Sequence, residues 1–298
     1  MTAHSPVTTR CREISDADLG SIAKLLSNGF PTRSRAYWLG VLDRLKKHSA
    51  PADMPKYGYL VEHAGAPVGA ILLISTMMPD GNAFTTRCNP SSWCLEPRFR
   101  TYAPLLSCQA IRKKSVTYYN LTPAVHTLPI LEAQGYSRLS NGQFVASIFP
   151  SVRRGAQPAR VIEHPVDPDA HYEPFERDLL STHSEWGCIS LWCVSSGRAY
   201  PFVFLPRVVR RVIPCVELLY CRQIEDFVRF APQIGSYLGW RGRPFVLIDS
   251  KGPIPGLPGK YFDGINPKYY KGPVSPRLGD LAYTELAMLP WLFSSAMM

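Results

Sequence analysis

A short basic turn at the start of a helix is the part of the sequence with the clearest chemistry. Arg98 and Arg100 follow the predicted strand 91–95, and a helical pattern begins at Thr101. The first N–H groups of a helix have no partner within the helix, and the helix dipole places positive charge at the same end. Such an end binds phosphate groups. The sequence therefore predicts a strand, a phosphate-binding turn and a helix in this order.

This turn and a later segment resemble two motifs of the GNAT N-acyltransferase superfamily. Pro97-x-Phe99-Arg100-x-x-Ala103 is similar to the acyl-CoA turn, R-x-x-G-x-G/A, and the segment Ile130-Leu131-Glu132-Ala133-Gln134-Gly135-Tyr136 is similar to the L-Y-E-K-L-G-F ending. The two matches occur in the expected order and cover about the first half of the chain. The resemblance implies a mixed α+β fold of the α/β class, with a central, mostly antiparallel sheet flanked by helices.

The chain departs from these motifs at positions that bear on function. Thr101, Ala103 and Leu105 stand where the turn usually has glycines. Ala103 allows close approach of a ligand to the backbone, whereas Leu105 crowds it. The tyrosine that often serves as general acid in the superfamily falls at Leu131, so that role is vacant or moved.

The resemblance also implies where an acyl donor binds. In the superfamily the strand before the turn splays from its neighbour and pairs with the pantetheine arm, while the turn amides hold the pyrophosphate. The N–H of Leu95 is then the usual donor to the thioester carbonyl. Asn120 is a pantetheine contact or, alternatively, a turn asparagine. The implied donor-binding positions are Trp93, Cys94, Leu95, Arg100, Thr101, Tyr102, Ala103, Pro104, Leu105 and Asn120.

Amine acylation also needs side chains that move protons. Glu96 is a candidate base, Tyr118 a candidate acid, and His126 a candidate for either role. Each has a structural alternative: a surface carboxylate, a packed ring, and a helix cap or solvated imidazole. Tyr118 and Tyr119 alternate across their strand, so one of them faces the groove. Cys94 is either a nucleophile or a small buried residue.

The composition describes a globular protein with an anionic partner. Lys and Arg number 33 against 23 Asp and Glu, which gives a net charge of +10. This charge suits CoA, an acidic acyl carrier protein, RNA or a membrane surface and does not choose among them. Short basic clusters elsewhere in the chain are interpreted as solvated faces.

The eight cysteines form no C-x-x-C pair, and no histidine stands at zinc-finger spacing from a cysteine pair. We therefore expect no metal site, reduced thiols and a cytoplasmic location. The apolar runs 70–78 and 281–298 are too short or are interrupted by Glu285 and Pro290, so neither is predicted to span a membrane.

The order of predicted elements suggests two domains. The first, residues 1–150, opens with strand, two helices and hairpin, as a GNAT domain does, and a loop is predicted at 79–90. A tight turn is predicted at Asn141-Gly142. Residues 150–158 form a linker, and residues 158–298 repeat a similar order as a degenerate GNAT-like domain, closing with strands at 261–270 and 280–288.

Three functions remain open at this point. The first is an N-acyltransferase that uses acetyl-CoA or a longer acyl-CoA and an amine acceptor, with acyl carrier protein as a further donor. The second is an aminoacyl-tRNA-dependent transferase, in which tRNA supplies the phosphates; nucleic acid is expected as a partner only in this case. The third is a non-catalytic acyl-CoA-binding protein on the same scaffold, which the changes at Leu105 and Leu131 favour.

Overall fold

The computed structural model describes residues 8–81, 83–148, 158–210 and 212–289. The chain forms two compact units, one of residues 1–120 and 271–275 and one of residues 121–270 and 276–298. The predicted limits 1–150 and 158–298 remain a prediction, because most of the predicted linker lies outside the described residues.

Within the residues that the structure describes, the first unit is a five-stranded sheet with three α-helices. Its strands run in the order β1-β2-β3-β4-β5, with antiparallel pairing throughout except between β4 and β5, which are parallel. The elements are β1 (Thr9–Glu13), α1 (Leu19–Gly29), α2 (Arg35–Lys47), β2 (Gly58–His63), β3 (Ala66–Asp80), β4 (Ala83–Leu95), α3 (Ala103–Ala110) and β5 (Thr117–Asn120). A 3-10 helix, Pro97–Tyr102, links β4 to α3.

Local sequence signals account for the helices of this unit. The N–H of Ser15 donates to the carboxylate of Asp18 at 2.8 Å, which forms a capping box before α1. Helix α2 begins after Ser34, whose hydroxyl accepts from the N–H of Tyr37. Its four buried side chains recur at the spacing of a helix that packs one face on a core. They are Trp38, Val41, Leu42 and Leu45.

The described part of the second unit is a seven-stranded sheet ordered β12-β6-β11-β10-β9-β8-β7. Strands β10 and β11 are parallel, and the other neighbours are antiparallel. The elements are α4 (Leu128–Ala133), β6 (Ser137–Ser147), β7 (Arg160–Glu163), α5 (Pro174–Glu185), β8 (Ile189–Ser195), β9 (Arg198–Val209), β10 (Ile213–Cys221), α6 (Ile224–Trp240), β11 (Phe245–Ser250), β12 (Gly259–Lys271) and α7 (Glu285–Met288).

One pairing pattern occurs in both units. Three successive antiparallel pairings (β1 to β4, then β7 to β10) lead to a strand whose other neighbour is parallel, and a helix connects the two parallel strands each time. In both units the parallel pairing is short: two residue pairs join β4 to β5, and two join β10 to β11. The fold class predicted from the sequence, mixed α+β with mostly antiparallel sheets flanked by helices, is confirmed.

Three local predictions are wrong. The predicted loop 79–90 is occupied by the ends of β3 and β4, which form a long hairpin. No turn occurs at Asn141-Gly142, because β6 runs through it; a side chain at Gly142 would collide with the carbonyl oxygen of Phe262 in β12. The strand predicted at 280–288 is instead a bridge at Asp280 followed by α7.

No helix within the described ranges is both long and apolar enough to cross a membrane.

Candidate functional site

The parallel strands of the first unit diverge and form a wedge, which we call the first cleft. Pairing joins Arg87 to Thr117 and Cys88 to Tyr118, and β4 then continues for seven residues to Leu95. At the point of divergence the side-chain amide of Asn89 donates to the carbonyl oxygen of Tyr119 at 3.2 Å. This hydrogen bond links β4 to β5 at the apex of the wedge, so the two strands separate after Asn89.

A β-bulge bends β4 within the first cleft. Ala70 lies opposite Cys94 but Leu72 lies opposite Ser91, so two residues of β4, Ser92 and Trp93, face one residue of β3. Ser92 has φ of 53°, the left-handed conformation that a bulge can impose. The side chain of Trp93 is 43% exposed. The bulge re-aims the last residues of β4, which include the positions predicted to meet an acyl thioester.

The backbone N–H of Leu95 points away from β3. The N–H of Glu96 donates to the carbonyl oxygen of Val68 at 2.8 Å, which makes Leu95 and Gly69 a non-hydrogen-bonded pair. In such a pair the N–H groups are directed to the outer edges of the two strands. The N–H of Leu95 is therefore on the β5 side of β4, as a donor to a ligand in the first cleft must be.

Two glycines allow the end of β4 to pack closely. A Cβ added to Gly69 would lie 2.8 Å from the Cγ of Leu95, so the leucine side chain rests across the β3 backbone. A Cβ added to Gly29, the last residue of α1, would lie 2.9 Å from the Cβ of Cys94. Burial raises the pKa of the Cys94 thiol to about 12. Cys94 therefore packs against α1 as a neutral thiol, which is the structural alternative.

The predicted phosphate turn has helical geometry. The 3-10 helix begins at Pro97, directly after β4, and passes into α3 without a glycine or a left-handed residue. The N–H of Phe99 donates to Glu96, and the N–H of Ala103 donates to Arg100. Some of the backbone amides expected to bind pyrophosphate are thus used inside the helix, and Pro104 has none to offer. The residues left facing solvent include Arg100 and Leu105, the latter 48% exposed.

Charged and aromatic side chains surround this turn. The Nε of Arg98 lies 3.4 Å from the Oε2 of Glu96, and its guanidinium stacks over Phe99 at 5.1 Å from the ring centre. The Glu96 side chain is 38% exposed. Glu96 thus follows Leu95 directly and is accessible, but it shares its position with a cation.

The candidate residues on β5 lie on two sides of the strand. Tyr118 is 2% exposed, and its hydroxyl accepts a hydrogen bond from the N–H of Lys113 at 3.1 Å. Burial raises the pKa of Tyr118 to about 12. The Tyr119 ring is also buried and lies 6.0 Å from the guanidinium carbon of Arg87. Asn120 ends the strand and is partly exposed.

The remaining candidates belong to the second unit. His126 lies in the 3-10 turn Val125–Thr127, and its side chain lies outside the described residues. Leu131, where the sequence resemblance leads us to expect a tyrosine, is 6% exposed in α4. The predicted residues of β4, the turn and β5 therefore all belong to the first unit, whereas His126 belongs to the second, and the roles of all of them remain predictions.

Sequence reasoning missed a buried charged cluster in the second unit. Lys268 Nζ lies 2.7 Å from Asp249 Oδ1 and 3.6 Å from Glu217 Oε1, and Arg207 pairs with Glu217 at 2.7 Å. Lys268, Asp249 and Glu217 are each at most 4% exposed. Burial raises the pKa of Asp249; burial opposes ionisation of Lys268, but the two carboxylates raise its pKa. The only sequence signal was a lysine inside a strand pattern.

Sequence reasoning also missed Asn89, Ser92 and Gly69. Ser92 is a polar residue inside the stretch 91–95 that was predicted as a strand, whereas Asn89 falls in the stretch 79–90 that was predicted as a loop. Gly69 gives no local signal, because its neighbour Leu95 lies on another strand.

Neither a family model nor a curated protein sequence matches the chain. Solved structures do. A conserved protein of Enterococcus faecalis described as a probable N-acyltransferase has a TM-score of 0.55 and 13% identity, over 92% of this chain and 73% of that one. A GCN5-related N-acetyltransferase of Kribbella flavida has a TM-score of 0.54 and 12% identity, over 89% and 71%. The chain has the GNAT fold. A GCN5-related N-acetyltransferase from Anabaena variabilis also matches, with a TM-score of 0.53 and 9% identity, over 89% of this chain and 72% of that one.

The GNAT fold was expected from the resemblance at Arg100 and Gly135, and the structural likeness confirms that expectation at the level of the fold. The likeness extends over about nine tenths of this chain, so each alignment includes residues of both units.

Proposed function

We propose that the chain is an N-acyltransferase that takes the acyl thioester of CoA in the first cleft and transfers the acyl group to an amine. The observation that carries this proposal is the orientation of the Leu95 N–H toward the cleft between β4 and β5. A thioester bound along β4 places its carbonyl oxygen on this N–H. The hydrogen bond strengthens when the carbonyl becomes an oxyanion.

The reaction needs few further groups. The amine lone pair attacks the thioester carbon, the tetrahedral intermediate collapses, and the C–S bond breaks to release CoA thiolate. Glu96, next to Leu95 and accessible, is the proposed acceptor for the proton that the amine loses. A free thiol has a pKa of about 8.5, so the departing thiolate can take its proton from water near neutral pH. Tyr118 and His126 stay as the alternative proton carriers predicted from the sequence.

One observation favours a donor other than CoA, the pantetheine of an acyl carrier protein. The helical geometry from Pro97 to Ala103 leaves fewer backbone amides for the CoA pyrophosphate than a glycine turn does. Phosphate contacts then depend on exposed side chains such as Arg100. A donor whose pantetheine is carried by an acyl carrier protein would need fewer of these contacts.

The test compares two substitutions at Leu95 in the full chain. Leu95→Pro removes the N–H on the cleft side of β4, where a proline does not disturb pairing with β3. Leu95→Ala keeps the N–H and is the matched control for the loss of side-chain packing. Binding of acetyl-CoA and dodecanoyl-CoA is measured by calorimetry, and transfer to a panel of primary amines is measured by release of free CoA thiol.

We expect Leu95→Pro to lower kcat by about 10²–10³-fold relative to Leu95→Ala, the range for loss of an oxyanion donor. Circular dichroism and thermal melting check that both variants fold. Equal rates for the two variants would remove Leu95 from the mechanism. Donor binding with no transfer to any amine would favour the non-catalytic candidate, and no binding of either thioester would redirect the search to carrier-protein and tRNA donors.

A further inference from the structure

The second unit contains a wedge of the same construction. Val216 pairs with Val246 and Glu217 with Leu247 in parallel, and β10 then continues beyond this pairing to Cys221. Strand β9 occupies the other edge of β10 along this whole length. We call the space between residues 218–221 of β10 and the diverging β11 the second cleft.

A segment of the same chain occupies the second cleft. The N–H of Cys221 donates to the carbonyl oxygen of Gly279 at 2.9 Å, and the N–H of Leu281 donates to the carbonyl oxygen of Leu219 at 2.8 Å. Between these bonds Tyr220 and Asp280 form an antiparallel bridge. Because β9 holds the opposite edge, residues 279–281, which we call the inserted segment, lie on the β11 side of β10.

The close fit of the inserted segment depends on a glycine. Gly279 has φ of 73°, and a Cβ added there would lie 2.7 Å from the sulfur of Cys221 and 3.1 Å from Ile224. Cys221 is completely buried, and burial raises the pKa of its thiol. The backbone of the inserted segment therefore covers the thiol directly.

The residues that follow anchor the inserted segment. The N–H of Tyr283 donates to His183 Nε2 at 3.1 Å, while His183 Nδ1 lies 2.7 Å from the carbonyl oxygen of Leu179. Nδ1 must donate to that carbonyl, so His183 is neutral with its proton on Nδ1. Thr122 donates to the buried carboxylate of Glu285 at 2.9 Å. The apolar side chains beyond the bridge are at most 3% exposed: Leu281, Ala282, Leu286, Ala287, Met288 and Leu289.

We propose that the inserted segment permanently fills the second cleft. Its backbone pairs with the edge of β10 that corresponds to the edge of β4 where the acyl donor is proposed to bind. The proposal rests on the proposed function only in that correspondence. Its consequence is that each chain binds one acyl donor, in the first cleft, and that the second cleft serves as a strand-binding groove for the chain's own segment.

The test measures access to Cys221 and needs no donor. The full chain is treated with an excess of iodoacetamide, and labelling is followed residue by residue with mass spectrometry. Gly279→Val forces the inserted segment away from Cys221. Gly264→Val is the matched control, because Gly264 has a similar φ of 69° but no atom within 4 Å of an added Cβ. Exposed Cys108 serves as an internal reference for reagent activity.

We expect Cys221 in the unmodified chain and in Gly264→Val to label at least tenfold more slowly than in Gly279→Val, with Cys108 unchanged. Fast labelling of Cys221 in the unmodified chain would overturn the proposal. If Gly279→Val does not fold, hydrogen exchange is measured on the unmodified chain instead. The amides of Cys221 and Leu281 should then be as protected from exchange as the amide of Val216. Rapid exchange at both amides would overturn the proposal.

Donor stoichiometry separates this proposal from the proposed function. Calorimetry with acetyl-CoA should give one site per chain, and two sites would overturn the proposal. If acetyl-CoA does not bind, the proposed function is contradicted. The labelling and exchange results do not depend on the donor, so they still test whether the inserted segment occupies the second cleft.

Discussion

In the first unit, β4 continues for seven residues past its parallel partner and turns the N–H of Leu95 away from β3. In the second unit, β10 continues for four residues past its partner, and the chain itself pairs with that edge. The same divergence of parallel strands thus has two outcomes. A cleft that is to hold a ligand must leave backbone groups directed into it, whereas a cleft that only supports the fold satisfies them internally.

The two clefts also differ at their apices. A neutral amide, Asn89, joins β4 to β5 with a hydrogen bond. In the second unit the residue paired across the apex is Glu217, which is buried with Lys268 and Arg207. Buried ion pairs add little net stability but cost much when one partner is removed. The second apex therefore depends on all its charges, whereas the side chain at the first apex contributes neutral hydrogen bonds, to the carbonyl oxygens of Tyr119 and Pro90.

The largest effect should come from breaking the charged apex. Lys268→Met leaves Asp249 and Glu217 buried without their shared cation, and we expect a loss of about 3–5 kcal/mol in the free energy of unfolding. Asn89→Ala, the corresponding change in the first unit, should cost only about 1 kcal/mol. Urea denaturation followed by circular dichroism measures both.

The pH dependence of the stability loss in Lys268→Met tests whether the unpaired charge of Asp249 causes that loss. Burial raises the pKa of Asp249, so its folded form binds more protons than its unfolded form, and stability falls as pH rises above the unfolded value. The loss caused by Lys268→Met should therefore shrink as pH is lowered from 7.5 toward 5. The double variant Lys268→Met, Asp249→Asn should recover part of the loss at pH 7.5. Equal costs for Lys268→Met and Asn89→Ala would contradict the difference between the apices.

A smaller effect should follow from disturbing the first cleft through Gly69. Gly69→Ala places a Cβ 2.8 Å from Leu95 Cγ, so Leu95 must shift together with its N–H. We expect roughly a tenfold loss of kcat/KM for acyl transfer, since small misplacements of a reacting group are costly. Stability should change little, because the leucine is only partly buried.

Gly40→Ala is the matched control for Gly69→Ala. Gly40 lies inside α2 with no atom within 4 Å of an added Cβ. Alanine favours a helix interior over glycine by about 0.5–1 kcal/mol, so this variant should be slightly more stable and equally active. An unchanged rate in Gly69→Ala would mean that the position of Leu95 does not limit transfer.

Local signals predicted much of the fold, and contacts between distant residues explain where prediction failed. The capping box at Ser15, the apolar face of α2 and the glycine that ends α4 at Gly135, with φ of 80°, depend on neighbours within four residues. Gly142 resembled a turn residue, but the approach of β12, more than a hundred residues later, requires a glycine there. Asn-Gly has both uses, and no local pattern distinguishes them.

The candidate site was predicted to the same degree. The strand ending at Leu95 and the helix after Arg100 follow from the resemblance and from local spacing, and both occur. The bulge at Ser92 and the contact of Gly29 with Cys94 depend on register with β3 and on the packing of α1. The inserted segment was interpreted as part of a strand, and its pairing partner, β10, could not be identified without the fold.

The smallest effect we predict concerns the cysteines at the ends of β4 and β10, each covered by a glycine, Gly29 or Gly279. Burial raises the pKa of Cys94 to about 12, so at pH 8 only about one thiol in ten thousand is the reactive thiolate. The fraction rises about tenfold per pH unit, and alkylation of Cys94 should rise with it between pH 7 and 9.

Iodoacetamide labelling of the unmodified chain should therefore proceed at exposed Cys108 first, then at Cys94, and last at Cys221, which is fully buried while Cys94 is only partly so. Acetyl-CoA should leave the Cys94 rate nearly unchanged, because the Cys94 sulfur packs on α1 and the proposed donor contacts are made by the backbone of β4. Strong protection of Cys94 by acetyl-CoA would instead place the thiol in the first cleft. Such a result would support Cys94 as a candidate nucleophile. It would also mean that Cys94 and Cys221 do not share the same environment, a buried thiol covered by a glycine.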